Sequence, residues 1–192
     1  MDVQPWSLQD VVILQPEPFE DLRGFFVRTL SAVTLSTAGL DHRAFVEESQ
    51  SRSRHGVLRG LHGRAALSEG KLVRCARGEI FEAIVDLRPW SRTFLRWDTL
   101  TLDDRAHRQV WVPPGFVHGF QVLSAEADVC YRMDAVHDPG LDISVAWDDP
   151  ELGIPWPLDD PVLSERDRAA PPLEELRPHL RSWFGDAAPR GS

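Results

Sequence analysis

At 192 residues the chain is long enough to bury a substantial core without disulfides or a structural metal. Its formal net charge of −9 argues against a protein that grips nucleic acid through clustered Lys and Arg, while a local basic pocket would still admit a small anion. Two widely separated cysteines, Cys75 and Cys130, with no signal peptide and no apolar run near 18 residues, imply a cytoplasmic protein without a membrane span.

Fifteen prolines and thirteen glycines punctuate short runs rich in Val, Ile, Phe and Trp, the pattern of an all-β chain with few helices. In chain order the predicted strands are Lys71 to Ala76, Glu79 to Leu87, Thr93 to Leu102, Gln109 to Val112, Gly119 to Leu123 and Ala127 to Met133. Within Glu79 to Leu87 one face is wholly apolar (Phe81, Ala83, Val85, Leu87). The other sets Glu82 and Asp86 beside Ile80 and Ile84 and is suited to line a pocket. Turn signals at Arg77-Gly78, Pro89-Trp90, Asp103-Asp104 and Pro113-Pro114-Gly115 space these strands regularly, which favours a sandwich or jelly roll. After Pro155 the chain becomes rich in Pro, Asp and Arg, with a helical candidate from Pro172 to Trp183 that packs on the barrel. A single domain over residues 1–185 is expected, followed by a disordered tail over 186–192.

Seven histidines are present. His62 lies in Val57-Leu58-Arg59-Gly60-Leu61-His62, with Arg59 before it and Lys71 after it, a titratable base beside fixed positive charge that suits enolate chemistry. His118 ends Pro113-Pro114-Gly115-Phe116-Val117-His118, where a tight turn feeds a strand and aims the imidazole into a barrel. His42, His55, His107, His137 and His179 sit in polar or loop contexts and read as surface residues.

The Pro-x-Gly-x-x-His pattern ending at His118 resembles the second motif of cupins, small β jelly rolls. Metal-binding cupins also need a His-x-His pair. Here Arg64 follows His62 at the second position, and a guanidinium cannot coordinate a cation, so neither a catalytic metal nor another cofactor is expected. Several further blocks sharpen the likeness: Phe19 to Phe26, Gly56 to His62, Lys71 to Arg74, Gly78 to Phe81, Val85 to Arg88, and Trp147-Asp148-Asp149-Pro150 through Trp156-Pro157. In this order, and over nearly the whole chain, they resemble the dTDP-4-dehydrorhamnose 3,5-epimerase family. The resemblance implies a metal-independent, homodimeric cupin jelly roll, commonly with a strand exchanged across the dimer, that acts on a nucleotide-linked 4-keto-6-deoxy sugar.

It also implies roles for matching positions. His62 becomes the base, Asp167 the carboxylate that orients it, Tyr131 the acid on the opposite face of the sugar, and Lys71 the cation at the ketone. Arg23, Arg59, His118 and Arg166 become substrate contacts. Where the family commonly has Arg-Gly-x-Phe-x-Glu, this chain carries Arg28; Glu47 and Ser49 stand in its Gln-x-Asn-x-Ser block. The aromatic after the histidine is Gly63, the ring that stacks on the base becomes His137, and a downstream Glu is shortened to Asp142. Arg28 and Glu47 are expected to pair and reshape the nucleobase end, favouring a carrier other than dTDP and an unusual deoxysugar. Two alternatives stay open: a single-site epimerase acting at C3 or C5 alone, and a non-catalytic cupin that binds a sugar nucleotide. A ketoisomerase fits less well, because Arg64 stands where a second histidine is favoured.

Overall fold

The computed structural model describes residues 1–186, so most of the expected tail lies outside the described residues. Among the described residues, thirteen strands follow in chain order: β1 (Asp2–Pro5), β2 (Val12–Gln15), β3 (Phe19–Asp21), β4 (Gly24–Phe26), β5 (Glu47–Arg54), β6 (Leu58–Arg64), β7 (Lys71–Arg77), β8 (Glu79–Asp86), β9 (Trp97–Asp103), β10 (Gln109–Val112), β11 (Phe116–Val122), β12 (Glu126–Met133) and β13 (Asp142–Ser144). One sheet runs β1-β2-β10-β7-β12-β5, the other β13-β6-β11-β8-β9, and β3-β4 forms a separate hairpin. This is the expected all-β jelly-roll sandwich.

Between the sheets a core of Ile13, Val73, Ile80, Ile84, Val110, Phe120 and Val129 is built from alternating strand positions. Outside the five-stranded sheet, Ala83 and Val85 of β8 and Leu87 just beyond it pack against Leu173, Leu180 and Phe184. Those three come from two short helices, Leu173–Leu176 and Leu180–Phe184, with Pro178 in the single 3-10 turn that joins them. The helical candidate is thus present and broken once. Each of these buried side chains contributes about 1.5–3 kcal/mol by area removed from water. The Trp147-to-Pro157 block holds this cover in place: Trp156 Nε1 donates to Trp147 O (2.8 Å), and the Asp149 carboxylate accepts the Leu173 and Leu152 N–H groups.

Three expectations are corrected. The predicted strand from Thr93 starts only at Trp97, because the buried Asp86 carboxylate gathers the hydroxyls of Ser91 (2.6 Å) and Thr93 (2.7 Å) and folds that stretch into turns. Asp86 therefore does not face the central cavity; it pairs with Arg88 at 2.9 Å. His107 is buried rather than exposed, its ring against Phe25 at a centroid distance of 4.6 Å. Both cysteines are free and buried, and burial pushes the Cys75 thiol up to about 12, which keeps it protonated. No helix among the described residues is long and apolar enough to cross a membrane.

Candidate active site

The sandwich encloses a cavity of about 320 Å³, lined among others by Arg59, His62, Lys71, His118, Phe120 and Tyr131. The two sheets contribute opposite walls. β6 and β11 bring Arg59, His62 and His118, while β7, β12 and β5 bring Lys71, Tyr131, Met133, Ser49 and Ser51.

Register explains the convergence. His62 and His118 are direct partners across β6 and β11 and project from the same face. Gly60 and Gly119 let the two strands close in beside them: a Cβ on Gly60 would come within 2.5 Å of Gly119 Cα. Gly63 answers to the same crowding. A Cβ there would meet Phe116 O at 2.4 Å, so this backbone has no room for the aromatic that the family resemblance suggested.

Asp167 reaches His62 from outside the sheets. Val162 pairs with the start of β6 (Val162 N to Gly56 O 2.9 Å, Leu58 N to Val162 O 3.0 Å), and the chain then enters a single helical turn, Glu165–Arg168. Ser164 caps this turn, its Oγ accepting the Asp167 N–H at 3.1 Å, which fixes the carboxylate under the ring. His62 Nε2 lies 2.5 Å from Asp167 Oδ1, so Nε2–H donates and Nδ1 is left as the basic nitrogen. Burial alone would raise the Asp167 pKa. The hydrogen bonds from His62 and Ser164 and the positive charge nearby outweigh it and hold the carboxyl below its ordinary value.

On the other wall, Tyr131 Oη meets Ser51 Oγ at 3.1 Å, and burial raises its pKa, so it remains a phenol able to donate. Deeper in, Glu82 on β8 is fully buried and its Oε1 lies 2.6 Å from His118 Nδ1. Burial pushes the Glu82 carboxyl well above its ordinary range despite Lys71, and pushes the His118 imidazole well below its own, with Lys71 and His62 reinforcing it.

The mouth is ringed by Glu47, His137, Asp142 and Arg166. Glu47 accepts the His137 backbone N–H (3.2 Å), and Arg166 Nη1 donates to Asp142 (3.3 Å). Arg23 and Arg28 do not join them. Arg23 sits in the β3-β4 hairpin, bonded to Asp21, and Arg28 borders a separate hollow with Glu17, Phe26 and Ser31. Within one protomer Arg28 therefore does not meet Glu47. Sequence reading passed over Glu69, Ser51, Phe120 and Met133, all in the lining. It marked Glu82 as a pocket-face acid but gave it no place in the site.

A jelly roll whose cavity joins an imidazole–carboxylate couple, a phenol and an ammonium defines a cupin-type enzyme of the isomerase class. The chain belongs to the dTDP-4-dehydrorhamnose 3,5-epimerase family, whose sequence model matches residues 5–175. It is 44% identical over 172 residues to the dTDP-4-dehydrorhamnose 3,5-epimerase of Methanothermobacter thermautotrophicus, covering 88% of this chain and 92% of that protein. A crystal structure of dTDP-6-deoxy-D-glucose-3,5-epimerase from Legionella pneumophila, in complex with dTDP-4-keto-L-rhamnose, superposes with a TM-score of 0.87 at 39% identity over 93% of this chain and 96% of that one. A 4-keto-6-deoxy sugar epimerase from the novobiocin biosynthetic gene cluster of Streptomyces spheroides does so with 0.88 at 35% identity, over 93% and 90%.

Proposed function

We propose that the protein epimerises a dTDP-linked 4-keto-6-deoxyhexose at C3, C5 or both, in deoxysugar biosynthesis. The observation that carries this reading is the entry of the His62–Asp167 couple and of Tyr131 into one cavity from opposite sheets. Inversion needs a proton taken from one face of a ring and returned to the other. His62 Nδ1 removes the proton beside the ketone, and Asp167 stabilises the imidazolium that results. Lys71 and the surrounding donors stabilise the enolate oxygen, which the base alone cannot do for so weak a carbon acid. Tyr131 returns a proton from the other wall. Arg59 on the wall and Arg166 at the mouth suit the diphosphate, and the ring of Glu47, His137 and Asp142 the nucleobase. dTDP is the carrier named for the ligand of the Legionella relative.

The enzyme works in the cytoplasm as a homodimer. The β3-β4 hairpin exposes Phe19, Leu22, Phe25 and Phe26 on one small element, an apolar surface that a second copy would cover. Exchange of this hairpin would bring Arg23 and Arg28 toward the neighbouring cavity. Light scattering at micromolar concentration should give the dimer; a stable monomer overturns it. Prolonged EDTA treatment should leave turnover unchanged, whereas loss with rescue by one divalent ion contradicts metal-independent chemistry.

The deciding experiment is solvent exchange. Incubation in D2O with 4-keto-6-deoxyhexoses on dTDP, UDP, GDP and CDP should put deuterium at C3 or C5 fastest for dTDP. No exchange with any of them would mark a binding protein instead.

A further inference from the structure

Arg64 broke the metal-binding pattern in the sequence, and the reaction outlined above gives it no part. In the fold its side chain is 3% exposed and lies behind the cavity wall. Its Nε lies 3.0 Å from Glu69 Oε2 in an ion pair, while Nη1 donates to Val136 O at 3.0 Å and Nη2 to His137 Nδ1 at 3.1 Å. A guanidinium has no lone pair to offer, so His137 accepts at Nδ1 in that bond and carries its hydrogen on Nε2. Glu69, itself 5% exposed, turns its second oxygen, Oε1, to Lys71 Nζ at 3.3 Å. The loop that delivers it is pinned by Asp134, whose carboxylate accepts the Gly70 N–H at 2.6 Å.

The charges of this buried row are plus, minus, plus. If Glu69 faced Lys71 alone, the pair would be neutral and the cavity would lose its cation. Without Glu69, two cations would face each other out of water, and nothing would aim the ammonium. With Arg64 behind it, Glu69 anchors Lys71 while the row keeps one positive charge, at its cavity end.

We propose that Arg64 and Glu69 act as one positioning unit: Glu69 holds the Lys71 ammonium at the reacting oxygen, and Arg64 takes up the Glu69 charge so that Lys71 is not quenched. The same guanidinium fixes the His137 ring at the mouth, so a single residue sets both ends of the substrate. This rests on the role given to Lys71 above. The other ionisable groups around Lys71 are Glu82, His118, His62, Tyr131 and Arg59 in the cavity and Asp134 behind the loop. All of them remain in the variants below.

The test is the pH dependence of kcat and KM with the dTDP-linked 4-keto sugar for Glu69→Gln, Arg64→Gln and the double variant, each checked by circular dichroism. Losing the anion favours a neutral Lys71, so the basic limb of Glu69→Gln should move to lower pH. Losing the neighbouring cation favours the ammonium, so that of Arg64→Gln should move to higher pH. Both singles should lose kcat by about thirtyfold or more, a drop equivalent to about 2 kcal/mol of barrier. The double variant, in which two amides replace the ion pair at unchanged net charge, should recover to within about tenfold of wild type. Limbs that stay put or shift in the same direction, or losses that multiply in the double variant, overturn the proposal. If the singles do not fold, the double variant decides alone, and a folded double variant with under about 1% activity refutes it. Lys71→Ala separates the two levels: retained activity there removes Lys71 from the mechanism, and the positioning unit with it.

Discussion

The five-stranded sheet carries two histidine–carboxylate pairs, and they have become different chemical objects. His62–Asp167 stands at the edge of the cavity, with the imidazole side chain 32% exposed and its carboxylate supplied by the C-terminal cover. His118–Glu82 is built from neighbouring strands of the sheet, 7% and 0% exposed. In the first pair the acid is held below its ordinary pKa and is an anion at neutral pH. In the second the acid is pushed up and the base down, both chiefly by burial.

Glu82 Oε2 has no hydrogen-bond partner among the described residues. Leaving a carbonyl oxygen so costs about 1–3 kcal/mol, while an ionised carboxylate in that position costs several more. The inner pair is therefore neutral, with the Glu82 O–H donating to Nδ1 and His118 carrying its hydrogen on Nε2. Access to water, rather than residue type, decides which histidine is a base and which an uncharged donor.

Removing the outer base should have the largest effect. His62→Ala is expected to slow solvent exchange of the substrate proton by at least about a hundredfold, the usual contribution of general base catalysis. Exchange within about tenfold of wild type would show that the base lies elsewhere. Tyr131→Phe should slow inversion more than exchange, since the ring and His62 remain; full epimerase activity in this variant removes the phenol from the mechanism.

An isosteric amide at each carboxylate sharpens the contrast. Asp167→Asn removes the anion that stabilises imidazolium and should cost about a hundredfold or more in kcat. Glu82→Gln can replace the O–H donor with an N–H and should cost less than about tenfold. Equal losses would mean that the inner pair is also charged. The smallest effect concerns stability. Because the Asp167 pKa is lowered by folding, its contribution is present above the unfolded value near 3.8 and is lost as pH falls through the folded one. Acid denaturation followed by circular dichroism should therefore begin at higher pH in wild type than its neutral-pH stability difference from Asp167→Asn alone implies.

The sequence exposed those parts of the molecule in which burial follows strand periodicity. β7, β8, β10 and β12 alternate or run apolar and were found to within a residue at either end, and β11 was found from its middle onward. β5 was missed because Glu47 to Arg54 is almost entirely polar: it is an edge strand whose inward residues face a wet cavity rather than a core. In β6 the glycines at 60 and 63 hide the pattern, and only contact with β11 explains them. Asp167 lies 105 residues from His62, so its part in the site came from family likeness and not from spacing. Glu69 gave no signal at all, since an isolated acid in a loop looks the same whether it meets water or an ammonium.

The late position of Asp167 has a consequence for biosynthesis. Ser144, the end of the last strand, leaves the ribosome before the carboxylate and the Leu173-to-Phe184 clasp that covers the outer face. The nascent chain therefore acquires its binding wall before its chemical competence. A fragment ending near Asp160 is expected to lack measurable proton exchange, and a synthetic peptide spanning residues 161–186 to restore part of it when added back. Activity in the fragment alone would show that His62 works without its partner.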